Sequence, residues 1–167
     1  YKFIPPREFH TYKILPSSTV LFETLVLPAG IPDKKYDSTF SMEAVGLAGK
    51  LKEYTGDEIT KAYIDIKERP VSDNTLIIYE LTNRVQAEQL LLEENGAGRE
   101  ILYFEPDDQI RIPVYQIPFK GLFNLLRSGF SPDFDDSYFA FDDNFLITGN
   151  SFVTISRLLY DNLLNKT

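Results

Sequence analysis

The sequence predicts an α+β fold, a mainly antiparallel sheet with helices on one face, built from repeated strand–strand–helix units. Three observations carry this expectation. Short runs rich in β-branched and aromatic residues recur along the chain, bounded by Gly, Pro, Asn or Asp. Amphipathic segments opened by capping residues follow pairs of these runs. The last pair closes through Asp142-Asp143-Asn144, the tight turn of a compact hairpin.

Residues 1–19 contain Pro5, Pro6 and Pro16 and read as an extended lead-in to a single domain over 20–167. Val20 to Leu27 is the first expected strand. A loop with Pro28, Gly30 and Pro32 follows. Ser41 then caps a helix with Glu43 in its first turn, where the helix dipole favours an anion. Met42, Val45, Ala48 and Leu51 mark its expected buried face, and Gly56-Asp57 its end.

Ile59 to Ile66 alternates, with Ala62, Ile64 and Ile66 on one side, and Thr75 to Leu81 is the next strand. Asn83 and Gln86 have the spacing of a capping box, ahead of the stripe Ala87, Leu90 and Leu91. The second round is Glu100–Phe104, Arg111–Ile117 and a short helix over Phe119–Ser128. Pro113 and Pro118 push its second strand toward an edge or a bulge. The third round is Tyr138–Phe141, Phe145–Gly149 and a helix with the stripe Phe152, Ile155, Leu159 and Leu163. If the three rounds are equivalent, the helices cover one face and leave the other for water or a partner.

Composition narrows the function. The 167 residues fit one domain. They carry 25 Asp+Glu against 17 Lys+Arg and one His, a formal charge of −8 that argues against nucleic acid as a partner. With no Cys, a disulfide scaffold, thiol catalysis and cysteine-ligated zinc are excluded. No apolar run approaches the ~20 residues that cross a bilayer. The chain starts at Tyr1 rather than Met, so a piece of a longer protein is expected.

Several phrases point to a family. Tyr138-Phe139-Ala140-Phe141-Asp142-Asp143-Asn144-Phe145-Leu146-Ile147-Thr148-Gly149-Asn150-Ser151 joins an aromatic strand, an acidic turn, a strand ending in a small residue plus Asn-Ser, and a helix that closes on Asn165-Lys166-Thr167. Gly56-Asp57-Glu58-Ile59 with Ala62-Tyr63, and Leu15-Pro16 with Thr19, are two more. Together they resemble large uncharacterised envelope proteins of Bacteroidetes, similar to a domain of unknown function also seen in cyanobacteria. The resemblance implies a parent tethered by an N-terminal membrane segment, with this module in the periplasm or outside the cell. It transfers no catalytic residue. In that setting Asp37-Ser38-Thr39 is similar to an O-glycan acceptor pattern, with Ser38 as the modified residue.

Candidate chemistry is sparse. Asp133–Asp143 holds five Asp and no Lys or Arg, so Asp133, Asp135 and Asp136 are candidate Ca²⁺ ligands, yet the EF-hand order is missing and a solvated loop is the expectation. Glu58, Asp65, Glu80 and Glu105 could supply a carboxylate pair for glycoside cleavage. His10 has no second imidazole to work with and reads as a surface residue. Ser17, Ser18 and Ser151 lack a nucleophile-elbow context, and Gly96-Ala97-Gly98 follows a helix instead of opening one. Tyr63, Tyr79, Tyr103, Tyr115 and Tyr138 lie on expected strands, where an uncovered sheet face would make them a contact surface. No catalytic constellation and no cofactor signature stands out. The expectation is a non-enzymatic module contacting a protein or envelope component, with membrane reached only through the parent's anchor. A carbohydrate-binding or glycan-cleaving module and an apolar-ligand carrier are the alternatives.

Overall fold

In a computed structural model, residues 6–27, 40–96, 99–127, 134 and 136–166 are described. Seven strands form one antiparallel sheet: β1 (Thr19–Val26), β2 (Thr55–Ile64), β3 (Thr75–Leu81), β4 (Ile101–Phe104), β5 (Ile112–Gln116), β6 (Tyr138–Asp142) and β7 (Phe145–Gly149). Their spatial order is β1-β2-β3-β7-β6-β5-β4. The helices are α1 (Met42–Lys52), α2 (Arg84–Asn95), α3 (Leu122–Leu126) and α4 (Phe152–Lys166). The α+β class and the antiparallel sheet are as expected from sequence.

Local signals account for the element ends. Ser41 Oγ accepts from the Ala44 amide at 3.1 Å, and Asn83 Oδ1 from the Gln86 amide at 3.2 Å, each satisfying an otherwise orphaned first-turn donor. Asp143 takes a left-handed φ of 47° in the two-residue turn between β6 and β7, a conformation Asp tolerates better than most residues.

The helices do not share one face of the sheet. Ile77, Tyr79 and Leu81 of β3 join Ile59, Phe139 and Leu146 in a core under α1, α2 and α3. Leu76 and Ile78 turn the other way, joining Ile64, Ala140 and Ile147 under Ile155, Leu158 and Leu159 of α4. The cause is the strand composition. Thr75 to Tyr79 is buried without a break, as a strand covered on both faces must be. The three strand–strand–helix stretches are therefore not three equivalent units: α4 lies opposite α2 and α3, and β7 pairs with β3 as well as β6. The expected bare face for docking goes with them.

Two smaller corrections follow from packing. Helix α1 buries Ala44, Leu47, Ala48 and Leu51, while Met42 is 84% exposed. Gly56 and Asp57 belong to β2, which starts at Thr55, and do not cap α1.

The lead-in is seated on the sheet. Thr11–Ile14 form one 3₁₀ turn, Thr11 is fully buried, and Ile14 joins the α4-side core. Ser17 fastens the following residues to α4: its amide and hydroxyl both donate to Asp161 Oδ2 at 2.9 Å.

Candidate functional site

The strap over residues 7–14 closes on a cluster of ionisable groups. Ile59 pairs with Tyr79 across β2 and β3. Glu58 and Glu80 flank that pair, and strand alternation turns both away from the α1 side, toward the strap. Two carboxylates so placed repel each other. His10 answers one of them, with Nδ1 2.7 Å from Glu80 Oε1.

Glu58 is fully buried, and its two oxygens have different surroundings. Oε1 accepts from the His10 amide at 2.7 Å, the Thr11 amide at 2.6 Å and Thr11 Oγ1 at 2.5 Å. Oε2 is buried with no hydrogen-bond partner; Arg7 Nη2 stands 3.6 Å away. Arg7 is held outward by Asp57, whose Oδ2 accepts from Nη1 at 2.8 Å. Burial pushes the Glu58 carboxyl up, but the Thr11 hydroxyl, the two amides and His10 outweigh it, so its pKa is lowered. A carboxylate can only accept, and this orients a chain of buried hydroxyls. Thr11 Oγ1 donates to Glu58, so its own partner Thr60 Oγ1, at 2.5 Å, donates to Thr11. Thr24 Oγ1, 2.6 Å from Thr60, then donates to Thr60.

A second buried network lies under α3. Arg127 is wholly buried. Its Nη1 donates to Asp136 Oδ2 at 2.6 Å and to the Tyr79 hydroxyl at 3.3 Å, and its Nη2 to the Phe134 carbonyl at 2.7 Å and to Asn124 Oδ1. Thr148 Oγ1 donates to the other Asp136 oxygen at 2.5 Å. Burial opposes the Arg127 charge, but Tyr79 and Asp136 hold its pKa up. Burial also pushes the Tyr79 hydroxyl well above the usual tyrosine range.

The sequence-predicted residues scatter. Tyr79 and Tyr115 are core residues beneath the α1–α3 layer and cannot present a surface. Tyr103 is 38% exposed at the β4 edge under Arg111, while Tyr138 packs against the α4-side core. Tyr63 is half-buried beside Lys61. The five tyrosines thus form no single patch: Tyr79 and Tyr115 lie under α1–α3, Tyr138 faces the α4 side, and Tyr63 and Tyr103 lie on separate strands, β2 and β4. Asp136 is committed to Arg127 and Thr148; Asp133, Asp135 and Ser38 lie outside the described residues. Of the four acids weighed for glycan cleavage, only Glu58 and Glu80 come together. Glu105 pairs with Arg111 at 2.9 Å. A glycosidase pair must flank a groove that admits a sugar, and Glu58 is sealed beneath the strap. The Pro-flanked context of His10 suggests a surface residue, whereas the fold joins it to Glu58 and Glu80. The available signal was the pair of acids at matching depths on two adjacent, opposed strands.

One more feature is exposed. Strand β1 pairs only with β2, and among the described residues nothing pairs with its outer edge. Val20, Leu21 and Phe22 there are 71%, 62% and 49% exposed. The opposite edge, β4, has four residues and is half the length of β1. A cleft of about 300 Å³ beside α2 is lined by Arg84, Glu88, Arg111 and Asp143, but Arg84 is already bonded to the Asp143 carbonyl and paired with Glu88. No helix among the described residues is long and apolar enough to cross a membrane.

Comparison of the chain with protein-family models, curated proteins and solved structures finds no match.

Proposed function

We propose that the chain is a non-enzymatic binding module of a membrane-anchored, extracytoplasmic protein, and that it receives an extended segment of a partner protein along the outer edge of β1. The observation that carries this reading is the edge itself. Free strand edges are normally blunted by Lys, Pro or inward-pointing charge, because they template pairing with other chains. Residues 19–26 contain no Lys and no Pro; they carry one charge, Glu23, and one pairing irregularity, between Thr19 and Leu21, and they expose three consecutive large apolar side chains. An added strand would gain main-chain hydrogen bonds for affinity and alternate side-chain contacts for specificity. The net charge of −8 favours a partner segment with basic residues. The envelope setting rests on the family resemblance.

The test is a peptide-display selection on the folded chain, followed by amide hydrogen exchange with the selected peptides. Bound peptides are expected to be extended, apolar and basic, and to protect the amides of β1. The variants Val20→Lys and Phe22→Lys, both at exposed sites, are expected to lose binding and keep the fold. Protection elsewhere with β1 unchanged, or full binding by both variants, overturns the reading. Concentration-dependent dimerisation abolished by the same variants would assign the edge to a second copy of the chain instead.

A further inference from the structure

We propose that His10, Glu58 and Glu80 form a binding site for one divalent first-row transition metal ion of the Zn²⁺ kind. Each residue offers one ligand atom, and the three atoms lie within 4.8 Å of one another. One imidazole nitrogen with two carboxylate oxygens is a donor set suited to Zn²⁺ or its neighbours; Ca²⁺ and Mg²⁺ prefer oxygen throughout. The independent observation is Glu58 Oε2: its side chain is 0% exposed, yet that oxygen has no hydrogen-bond partner. Buried carboxylate oxygens without a partner are rare because their desolvation is uncompensated. Arg7 Nη2 pairs with this oxygen at 3.6 Å and offsets its charge without a hydrogen bond, and a metal ion would add the direct contact.

The required rearrangement is small. Ligand atoms around a tetrahedral Zn²⁺ at ~2.0–2.1 Å are about 3.3 Å apart. The His10–Glu80 contact at 2.7 Å would open slightly, and ligand atoms that now lie within 4.8 Å of one another would draw in around the ion. Glu58 Oε1 stays on its three donors from His10 and Thr11, which orient the carboxylate as outer-shell partners do. At least one coordination position is left for water, on the side where His10 is 44% exposed. The ion would fasten the strap to β2 and β3. This site does not depend on what docks along β1.

The chain has a single His, so one imidazole reports the site. Zn²⁺ alone is titrated into chelator-stripped protein by calorimetry, with the His10 ring followed by ¹⁵N NMR. Saturable binding of one ion per chain is expected, with a shift of the His10 ring nitrogens. At free Zn²⁺ a hundredfold above Kd the melting temperature should rise by about 5–10 °C. His10→Ala and Glu80→Gln, both at partly exposed side chains, should each weaken binding about tenfold or more, as loss of a ligand or its support does. Glu105→Gln should leave binding unchanged. Should His10→Ala fail to fold, Glu80→Gln and the ring signals decide. The absence of saturable binding, unmoved His10 ring nitrogens, or wild-type affinity in Glu80→Gln would each overturn the site.

Discussion

Tyr12 lies flat over Phe22, with ring centroids 6.4 Å apart and planes 14° from parallel. The first residue belongs to the strap and the second to edge strand β1. The stack therefore ties the segment that carries His10 to the strand proposed to receive a partner. Both rings are more than two-fifths exposed, so the contact works at the protein's surface. A double-mutant cycle on Tyr12→Ala and Phe22→Ala should give a coupling of about 0.5–1.5 kcal/mol. Urea unfolding of the four proteins measures it; additivity within error would show that the stack contributes nothing.

The oriented hydroxyl chain predicts the effect of Thr11→Val. The valine keeps the volume of the side chain and the amide bond to Glu58. It removes one donor from the buried Oε1 and leaves the Thr60 hydroxyl with only Thr24 as a partner. A loss of about 1–3 kcal/mol is expected in denaturant unfolding. Thr24→Val, at the far end of the chain, leaves all three donors to Glu58 Oε1 in place and should cost less.

Arg127 is expected to tolerate paired replacement better than single loss. Arg127→Met leaves Asp136 buried without its cation, which should cost about 3–5 kcal/mol. Arg127→Met with Asp136→Leu removes both charges and should recover part of that stability. A double variant less stable than the single one would contradict this account.

Alkaline stability should depend on Tyr79. Its folded pKa lies above that of an unfolded tyrosine, about 10, because ionisation in the core lacks solvation. The folded state keeps this proton where the unfolded state has lost it. The stabilisation is thus complete below pH ~10 and declines as pH rises further, by up to about 1.4 kcal/mol per pH unit. Tyr115 is shifted in the same direction by burial, so Tyr79→Phe should reduce the slope without abolishing it. Unfolding free energies between pH ~9 and ~11 provide the check.

Glycine substitutions should divide by site. Gly121 has φ +80°, and a Cβ there would sit 2.3 Å from Phe40 Cε1, so Gly121→Ala should destabilise by more than about 1 kcal/mol. Gly46 and Gly49 lie within α1, where an added Cβ would meet nothing inside 4 Å, and alanine at each should stabilise by about 0.4–1 kcal/mol. Thermal melts of the three variants distinguish these outcomes.

Much of the architecture can be read from local chemistry. The strand at Thr75–Leu81, the cap at Asn83 and the hairpin at Asp142-Asp143-Asn144 all sit where their residues predict, because each depends on near neighbours. Helix placement across the sheet does not. Leu76-Ile77-Ile78-Tyr79 reads as a strand whether one face or two are covered, and only its unbroken burial shows that α4 takes the second face. The same limit hides the ionisable cluster. His10 is 48 residues from Glu58 and 70 from Glu80, so strand pairing, not spacing, unites them. Burial of Tyr79 and Tyr115 is likewise a consequence of which layer the helices choose.

The place of β7 in the sheet bears on how the chain is made. It sits beside β3 near the middle of the sheet, though its residues come late in the sequence. On a ribosome, β1 to β3 would emerge first and wait with the inner margin of β3 unpaired until Phe145–Gly149 arrives. Such distant pairings fold slowly and leave sticky margins exposed meanwhile. The sheet can thus be completed only after most of the domain has been synthesised, and until then nascent β3 keeps one margin open.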